Sequence, residues 1–139
     1  MKINYIYKIK YEPRTDYEFK AHNKLVNTTT YEAIIDKQIP LVIESLNKNK
    51  GSRQGVIVVN NGISHNSCLI NLQYQVYSST LYVSANFRSQ SQVYGRPSDT
   101  ILICHVTNQI IDKLKYEIKD VDINVCVANY HHCDPEDFV

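Results

Sequence analysis

The chain of 139 residues is long enough for one hydrophobic core and too short for two domains of ordinary size, so we expect a single domain over residues 1–139. Hydrophobic residues make up 43% of it and charged residues 21%, with only four glycines and four prolines, which excludes a disordered or fibrous chain. Its net charge is +1 and its basic residues are scattered, which argues against nucleic acid or an anionic membrane surface as the partner.

The sequence also indicates the cellular compartment of the protein. No apolar run has the length of a membrane span, and the N-terminal residues alternate where a signal peptide would be continuously apolar. The four cysteines lack the dense spacing of a disulfide framework: Cys68, Cys104, Cys126 and Cys133. We therefore expect a cytoplasmic protein with reduced thiols and no membrane partner. Its many tyrosines, lysines and asparagines are typical of a phage or bacterium with an AT-rich genome.

The first predicted elements are a strand and a helix. Residues 2–11 alternate with period two, which predicts a strand whose one face carries Ile3, Tyr5, Tyr7, Ile9 and Tyr11. Residues 29–32 have the pattern of a capping box, and apolar residues recur at helical spacing after it: Ile35, Ile39, Val42, Ile43 and Leu46. Pro40 either kinks this helix or marks its real start, and the helix should end near Lys50-Gly51.

Three strands follow. Residues 55–60 form a short apolar run, and residues 68–77 and 80–88 predict a hairpin that turns at Ser78-Ser79. In the last of these strands, apolar side chains share one face and polar side chains the other, the polar row being Tyr82, Ser84, Asn86 and Arg88. This row is either a solvated sheet face or the lining of a cavity.

The last elements are a helix and a strand. With Ser98 as N-cap, we predict a central buried helix over 98–115, whose apolar residues recur every four positions: Leu102, Val106, Ile110 and Leu114. Residues 121–127 alternate as a final strand. The predicted class is α+β, with a mixed or antiparallel sheet.

Five short motifs occur in order along the chain. They are Ser52-Arg53-Gln54, then Cys68, Gln73, Arg88-Ser89 and the stretch Gly95-Arg96-Pro97-Ser98-Asp99. Arg88 follows Cys68 by 20 residues (88 − 68), and Asp99 follows Arg88 by 11 (99 − 88). In these residues the chain resembles the thymidylate synthase and deoxycytidylate hydroxymethylase family, over roughly Ile35 to Tyr130. The resemblance implies a thymidylate-synthase-like mixed sheet packed on a central helix.

The resemblance also implies a reaction, the transfer of one carbon to carbon 5 of dCMP or dUMP. Cys68 would be the nucleophile that adds to carbon 6, with nearby arginines lowering the pKa of its thiol. Arg53, Arg88 and Ser89 would bind the phosphate, with charge-assisted hydrogen bonds from the arginines. In the family the first of these arginines reaches into the partner's site, so a homodimer with shared sites is expected.

The remaining nucleotide contacts would come from Gln73 and Tyr130. Cys68 and Gln73 fall on opposite faces of a regular strand, so this arrangement needs a β-bulge between them. The alternative for Cys68 is a small buried hydrophobic residue, which is the common environment of a free cysteine.

Asp99 stands where uracil-reading members of the family carry asparagine and cytosine-reading members carry aspartate. A carboxylate accepts a hydrogen bond from the exocyclic amine of cytosine, which favours dCMP over dUMP. The alternative is that Asp99 only interacts favourably with the N-terminal dipole of the following helix.

Other positions depart from the family pattern. Gln54 replaces a second arginine, Ser91 replaces an aspartate that helps to place folate, and Ala128 replaces the histidine of a His-x-Tyr motif. No part of residues 1–34 matches the family segment that supplies a catalytic glutamate, for which Glu18 and Glu32 are merely available carboxylates, and the family's C-terminal tail has no counterpart. Methylenetetrahydrofolate is therefore a possible cofactor whose binding elements are largely missing, and a catalytically inactive nucleotide-binding or assembly protein of the same fold is the alternative.

A second cluster suggests a metal site near the C-terminus: Cys126, His131, His132, Cys133 and Asp134. It lacks a Cys-x-x-Cys pair, and we interpret it as the end of a strand without a bound metal.

Overall fold

The computed structural model describes residues 1–13, 31–63 and 67–132. Thr29 and Thr30 of the predicted capping box lie outside the described residues, as do Glu18, Cys133, Asp134 and the side chain of Glu32. The elements in chain order are β1 (Lys2–Ile9), α1 (Tyr31–Asp36), α2 (Ile39–Lys48), β2 (Val56–Val58), β3 (Leu69–Tyr77), β4 (Thr80–Ser91), α3 (Gly95–Ile111) and β5 (Asp120–His131).

The five strands form one mixed sheet in the order β1-β5-β4-β3-β2. β4 and β5 are parallel and are connected through α3, whereas the other neighbouring pairs are antiparallel. This arrangement confirms the predicted α+β class and the predicted order of strand, helix, strands, helix and strand. The thymidylate-synthase-like fold remains a prediction.

The central helix α3 is buried on nearly all sides. Every residue from Leu102 to Asn108 is buried, because the sheet covers one side of the helix and α2 packs on another. The prediction of a central helix is confirmed, but its bounds were wrong. The helix begins at Gly95, and Ser98 lies inside its first turns with its hydroxyl directed at the carbonyl oxygens of Tyr94 and Gly95. Pro97 is tolerated there because the first helical N–H groups have no partner within the helix.

Pro40 marks a real helix start. The chain forms two helices, with a turn at Lys37 and Gln38 between them, and Pro40 occupies the first turn of α2. The second of the two alternatives for Pro40 is therefore correct. α2 ends at Lys48, two residues before the predicted end, and Ile39, Val42 and Leu46 form its buried stripe.

The strands agree with the alternation in the sequence, with a few differences. The β3–β4 hairpin turns at Ser78-Ser79 as predicted, and Ser78 adopts a φ of 57°. β2 is shorter than predicted, and β5 extends to His131. The predicted apolar face of β1 is not buried along its whole length: Tyr7 is buried, whereas Ile3 is 64% exposed and is followed by Asn4 with a φ of 52°.

The two faces of the sheet differ in chemistry. The inner face packs against the helices with apolar side chains such as Leu72, Val83 and Val125. No described helix covers the opposite face. We call this the outer face. In the three central strands it carries Asp122, which forms an ion pair with Lys8 of β1, and a group of uncharged residues: Asn71, Gln73, Gln75, Tyr82, Ser84, Asn86, Asn124 and Cys126.

Candidate functional site

Five of the predicted site residues lie at one edge of the sheet. The parallel strands β4 and β5 end here, α3 begins here, and β3 starts here because it is antiparallel to β4. We call this the site edge, and its predicted residues are Cys68, Arg88, Ser89, Asp99 and Tyr130. Carboxyl ends of parallel strands are common ligand sites, because the connecting segments leave a crevice there.

Cys68 and Arg88 are neighbours on adjoining strands. The Arg88 N–H donates to the Cys68 carbonyl oxygen at 2.9 Å, and Arg88 Nε donates to the Ser67 carbonyl oxygen at 3.1 Å. These two bonds position the guanidinium group beside the cysteine. The Cys68 side chain is exposed, unlike that of Cys104, so the alternative of a buried hydrophobic residue does not describe it.

The pKa of the Cys68 thiol is raised, contrary to the expectation from nearby arginines. Although Cys68 has exposed surface, the protein displaces part of the water around its sulfur, and this desolvation is the largest cause. Arg88 acts in the opposite direction, and the negative charge of Asp99 raises the pKa further. Although Arg88 has the predicted effect, it is outweighed, so the thiol is largely protonated at neutral pH. The same three groups are nevertheless electrostatically coupled, which places Cys68, Arg88 and Asp99 in one neighbourhood.

The β-bulge that the parity argument requires is present. The register between β3 and β4 shifts between Leu69 and Asn71. As a result, Leu69 and Leu72 are both buried although they are an odd number of positions, three, apart. Because β3 has one extra residue at this point, Cys68 and Gln73 project to the same face of the sheet.

Asp99 is buried and belongs to a short chain of hydrogen bonds. Gln90 Nε2 donates to Asp99 Oδ2 at 3.0 Å, and the Tyr7 hydroxyl donates to Gln90 Oε1 at 2.6 Å. Burial also raises the pKa of Tyr7, so this phenol stays protonated. The sequence analysis missed Tyr7 as a site residue and missed Gln90. The only sequence signal for Gln90 is its place in the Arg-Ser-x-x motif, directly after Ser89.

Tyr130 is held by an arginine that the sequence analysis also missed. Arg96 Nη1 donates to the Tyr130 hydroxyl at 3.1 Å, and the guanidinium group lies 3.9 Å from the centre of the Tyr7 ring. The Tyr130 ring packs on Tyr5, with 4.6 Å between the ring centres. Arg96 thus connects the start of α3 with β1 and β5.

Two further polar groups complete the site edge. His131 Nε2 lies 3.2 Å from the Ser89 hydroxyl oxygen. The Tyr31 hydroxyl accepts a hydrogen bond from the Leu69 N–H at 3.4 Å, and burial raises the pKa of Tyr31 to about 12. Cys68 and Asp99 both influence Tyr31, so it belongs to the same electrostatic neighbourhood.

The structure does not bring Arg53 or Gln73 to the site edge of the same chain. Arg53 is exposed and precedes Gly55, whose carbonyl oxygen accepts from the Tyr74 N–H. Tyr74 is six residues from Cys68 (74 − 68), which is roughly 20 Å along an extended strand. Gln73 lies on the outer face, in one row with Ser84 and Asn124.

An apolar cavity lies elsewhere. It has a volume of about 760 Å³ between α2 and the end of α3, where Ile39, Ile43, Gln109 and Lys113 contribute to its walls. None of the predicted site residues lines this cavity, so we do not assign the nucleotide chemistry to it.

Two kinds of feature are absent from the described ranges. No group of three or more histidine, cysteine, aspartate or glutamate side chains could hold a metal ion among residues 1–13, 31–63 and 67–132. No helix in these ranges is long and apolar enough to cross a membrane.

No protein-family model matches this chain, and no curated protein matches it either. The family resemblance therefore rests on the motif residues and remains a prediction.

Proposed function

We propose that this protein binds a pyrimidine deoxynucleoside monophosphate at the site edge. It would transfer one carbon to carbon 5 of dCMP, or of dUMP, through a covalent adduct with Cys68. The observation that supports the proposal is the hydrogen bond from the Arg88 N–H to the Cys68 carbonyl oxygen at 2.9 Å, at the end of the sheet where α3, with Asp99 in its first turns, begins. These three residues would be a phosphate-binding group, a nucleophile and a base-reading group. In the sequence, Arg88 follows Cys68 by 20 positions and Asp99 follows it by 31 (88 − 68 and 99 − 68).

Each group has a chemical role. The Arg88 guanidinium is a forked donor suited to a phosphate dianion, and the Ser89 hydroxyl adds a further donor. The Asp99 carboxylate would accept from the amine of cytosine, and the Tyr130 hydroxyl would contact the sugar. Because the thiol of Cys68 is largely protonated in the free protein, the adduct requires a proton acceptor or an additional positive charge once the ligand is bound.

A homodimer with shared sites would supply that additional charge. Arg53 lies far from the site edge of its own chain, so it can act there only from a partner. The outer face is the surface we assign to the dimer, because depletion of charge is typical of the centre of a protein interface. The residues around Ser84 are uncharged, the Lys8–Asp122 ion pair lies to one side of them, and neighbouring Ile6 is 65% exposed and Val58 44% exposed.

The alternative is a catalytically inactive nucleotide-binding or assembly protein. The raised pKa of Cys68 favours it, because a protonated thiol is a poor nucleophile. Methylenetetrahydrofolate binding distinguishes the two functions, since the transferase needs a one-carbon donor and the inactive protein does not.

Titration calorimetry with dCMP, dUMP and a reduced folate tests the proposal. We expect dCMP to bind more tightly than dUMP by roughly tenfold to a hundredfold, because the wrong base loses its hydrogen bonds to Asp99. Arg88→Ala should weaken both nucleotides alike, because Arg88 would contact only the phosphate. Asp99→Asn should narrow or reverse the preference.

Three results would change this account. Failure of folded protein to bind either nucleotide would contradict the proposal. Nucleotide binding without folate binding would support the inactive alternative. If Asp99→Asn and Arg88→Ala had the same effect on both ligands, the assignment of separate base and phosphate roles would be wrong.

A further inference from the structure

Tyr7, Gln90 and Asp99 form a hydrogen-bonded chain that joins three elements: β1, β4 and α3. All three side chains are buried, with exposed fractions of 8%, 3% and 7%. The two bonds, at 2.6 Å and 3.0 Å, are well within normal hydrogen-bond range. Buried polar chains of this kind hold their members in one orientation, because any rotation leaves a buried group without its partner.

The direction of the hydrogen bonds in this chain follows from its end members. An ionised carboxylate can only accept, so the nitrogen of the Gln90 amide must face Asp99. The amide oxygen then faces Tyr7, whose hydroxyl donates. The Arg96 guanidinium over the Tyr7 ring favours this direction, because its positive charge makes the phenol a better donor.

Gly95 lies next to this chain. A Cβ atom on this glycine would lie 3.2 Å from Gln90 Cγ and 3.5 Å from Asp99 Oδ2. The first of these distances is shorter than ordinary van der Waals contact, so any larger residue would press on Gln90. A side chain at position 95 would therefore require Gln90 to shift slightly from its present place beside Asp99.

From these contacts we infer that Gln90 is a positioning residue: oriented by Tyr7, it holds the Asp99 carboxylate as a hydrogen-bond acceptor and so selects a base with an amino group over one with a carbonyl group. This inference rests on the proposed function, because it assigns the specificity of that same site. Cytosine presents the N4 amine as a donor, whereas uracil presents the O4 oxygen as an acceptor. An acceptor facing O4 brings lone pairs together, which penalises uracil.

Calorimetry on conservative variants tests this inference. Tyr7→Phe keeps the ring under Arg96 and removes the bond that orients the Gln90 amide. Gln90→Met keeps the length of the side chain and removes the donor to Asp99. Tyr11→Phe is the matched control, because it deletes a tyrosine–amide bond from Tyr11 to Asn108 outside this chain.

We expect wild type and Tyr11→Phe to prefer dCMP by roughly tenfold to a hundredfold, and both test variants to fall below about threefold. The loss should arise from weaker dCMP binding and stronger dUMP binding. A merely structural role would weaken both nucleotides equally and leave their ratio unchanged.

The outcomes separate this inference from the proposed function. A wild-type preference for dCMP that persists in folded Tyr7→Phe and Gln90→Met would overturn the inference and leave the function standing. If wild type bound neither nucleotide, both the function and the inference would be overturned. Should one variant fail to fold, the ratio measured with the other decides.

Discussion

At the scale of single residues, the balance of charges around Cys68 sets its reactivity. Arg88 lowers the pKa of the thiol, but burial and Asp99 raise it by more. In the free protein Asp99 therefore lowers the reactivity of Cys68, because the carboxylate that would bind cytosine also disfavours the thiolate. Ligand binding would change this balance, because the base would cover the Asp99 carboxylate.

The reaction of Cys68 with iodoacetamide measures this balance. We expect the rate at Cys68 to rise with pH, with a midpoint above the value of about 8.5 for an ordinary thiol. Arg88→Ala should move the midpoint higher still, because it removes the one cause that lowers the pKa. Mass spectrometry of the Cys68 peptide follows the reaction, and Lys113→Ala, at an exposed position past the end of α3, is the control. A midpoint that falls in Arg88→Ala would contradict the electrostatic description.

The sequence could predict some site residues and not others, for a physical reason. Cys68, Arg88 and Asp99 are recognisable because their spacing and chemical type form a motif. Tyr7 and Gln90 act through contacts between distant segments, since they are 83 positions apart in the sequence. Nothing local to either residue indicates that contact, so only the folded structure identifies them.

At the scale of elements, alternation and helical spacing located nearly every strand and helix. The errors lie at element ends, where local signals compete. Ser98 has the residue type of an N-cap, yet the helix starts three residues earlier at Gly95. The alternating pattern also gives no sign of the positive φ at Asn4. Asparagine adopts this conformation more readily than most residues, and its polar side chain fits the alternation in either case.

The junction before β2 offers a test at this scale. A Cβ atom on Gly55 would lie 2.6 Å from the Tyr74 carbonyl oxygen in the neighbouring strand, so Gly55→Ala must displace backbone. We expect it to lower the free energy of unfolding by about 1–3 kcal/mol, as overpacking does. Gly51→Ala is the control, since the nearest atom to its Cβ would be 3.6 Å away. Urea denaturation measures both, and equal midpoints would contradict the predicted clash.

At the scale of the whole molecule, buried tyrosines make stability depend on alkaline pH. Burial raises the pKa values of Tyr7, Tyr31 and Tyr74 above 10.0, so these phenols keep their protons in the folded state. Above pH 10 the unfolded state releases those protons first, and stability falls as the pH rises. The slope is about 1.4 kcal/mol per pH unit for each group.

Urea unfolding between pH 9 and pH 12 checks this dependence. Tyr74→Phe should reduce the dependence of the free energy of unfolding on pH by the contribution of one tyrosine. Tyr77→Phe, at a 77% exposed position, should leave this dependence unchanged. The prediction fails if absorbance at 295 nm shows that all tyrosines ionise near pH 10 while the protein remains folded.

The proposed dimer gives a second test of the whole molecule. Ser84 lies at the middle of the outer face, between Gln73 and Asn124, so Ser84→Arg would bury a charge in the interface. Sedimentation should give a dimer for wild type at micromolar concentration and a monomer for this variant. Glu117→Arg, in an exposed position after α3, should remain dimeric. A wild-type monomer would count against shared sites.

The central claim is that a pyrimidine nucleotide binds at the site edge, and a crystal structure of the protein with dCMP tests it most directly. The account predicts phosphate oxygens within about 3.2 Å of donors on Arg88 and Ser89, and the N4 amine of the base at the same range from the Asp99 carboxylate. Carbon 6 of the base should face the Cys68 sulfur. Nucleotide bound in the apolar cavity between α2 and α3, or at the site edge with its base turned away from Asp99, would contradict the account.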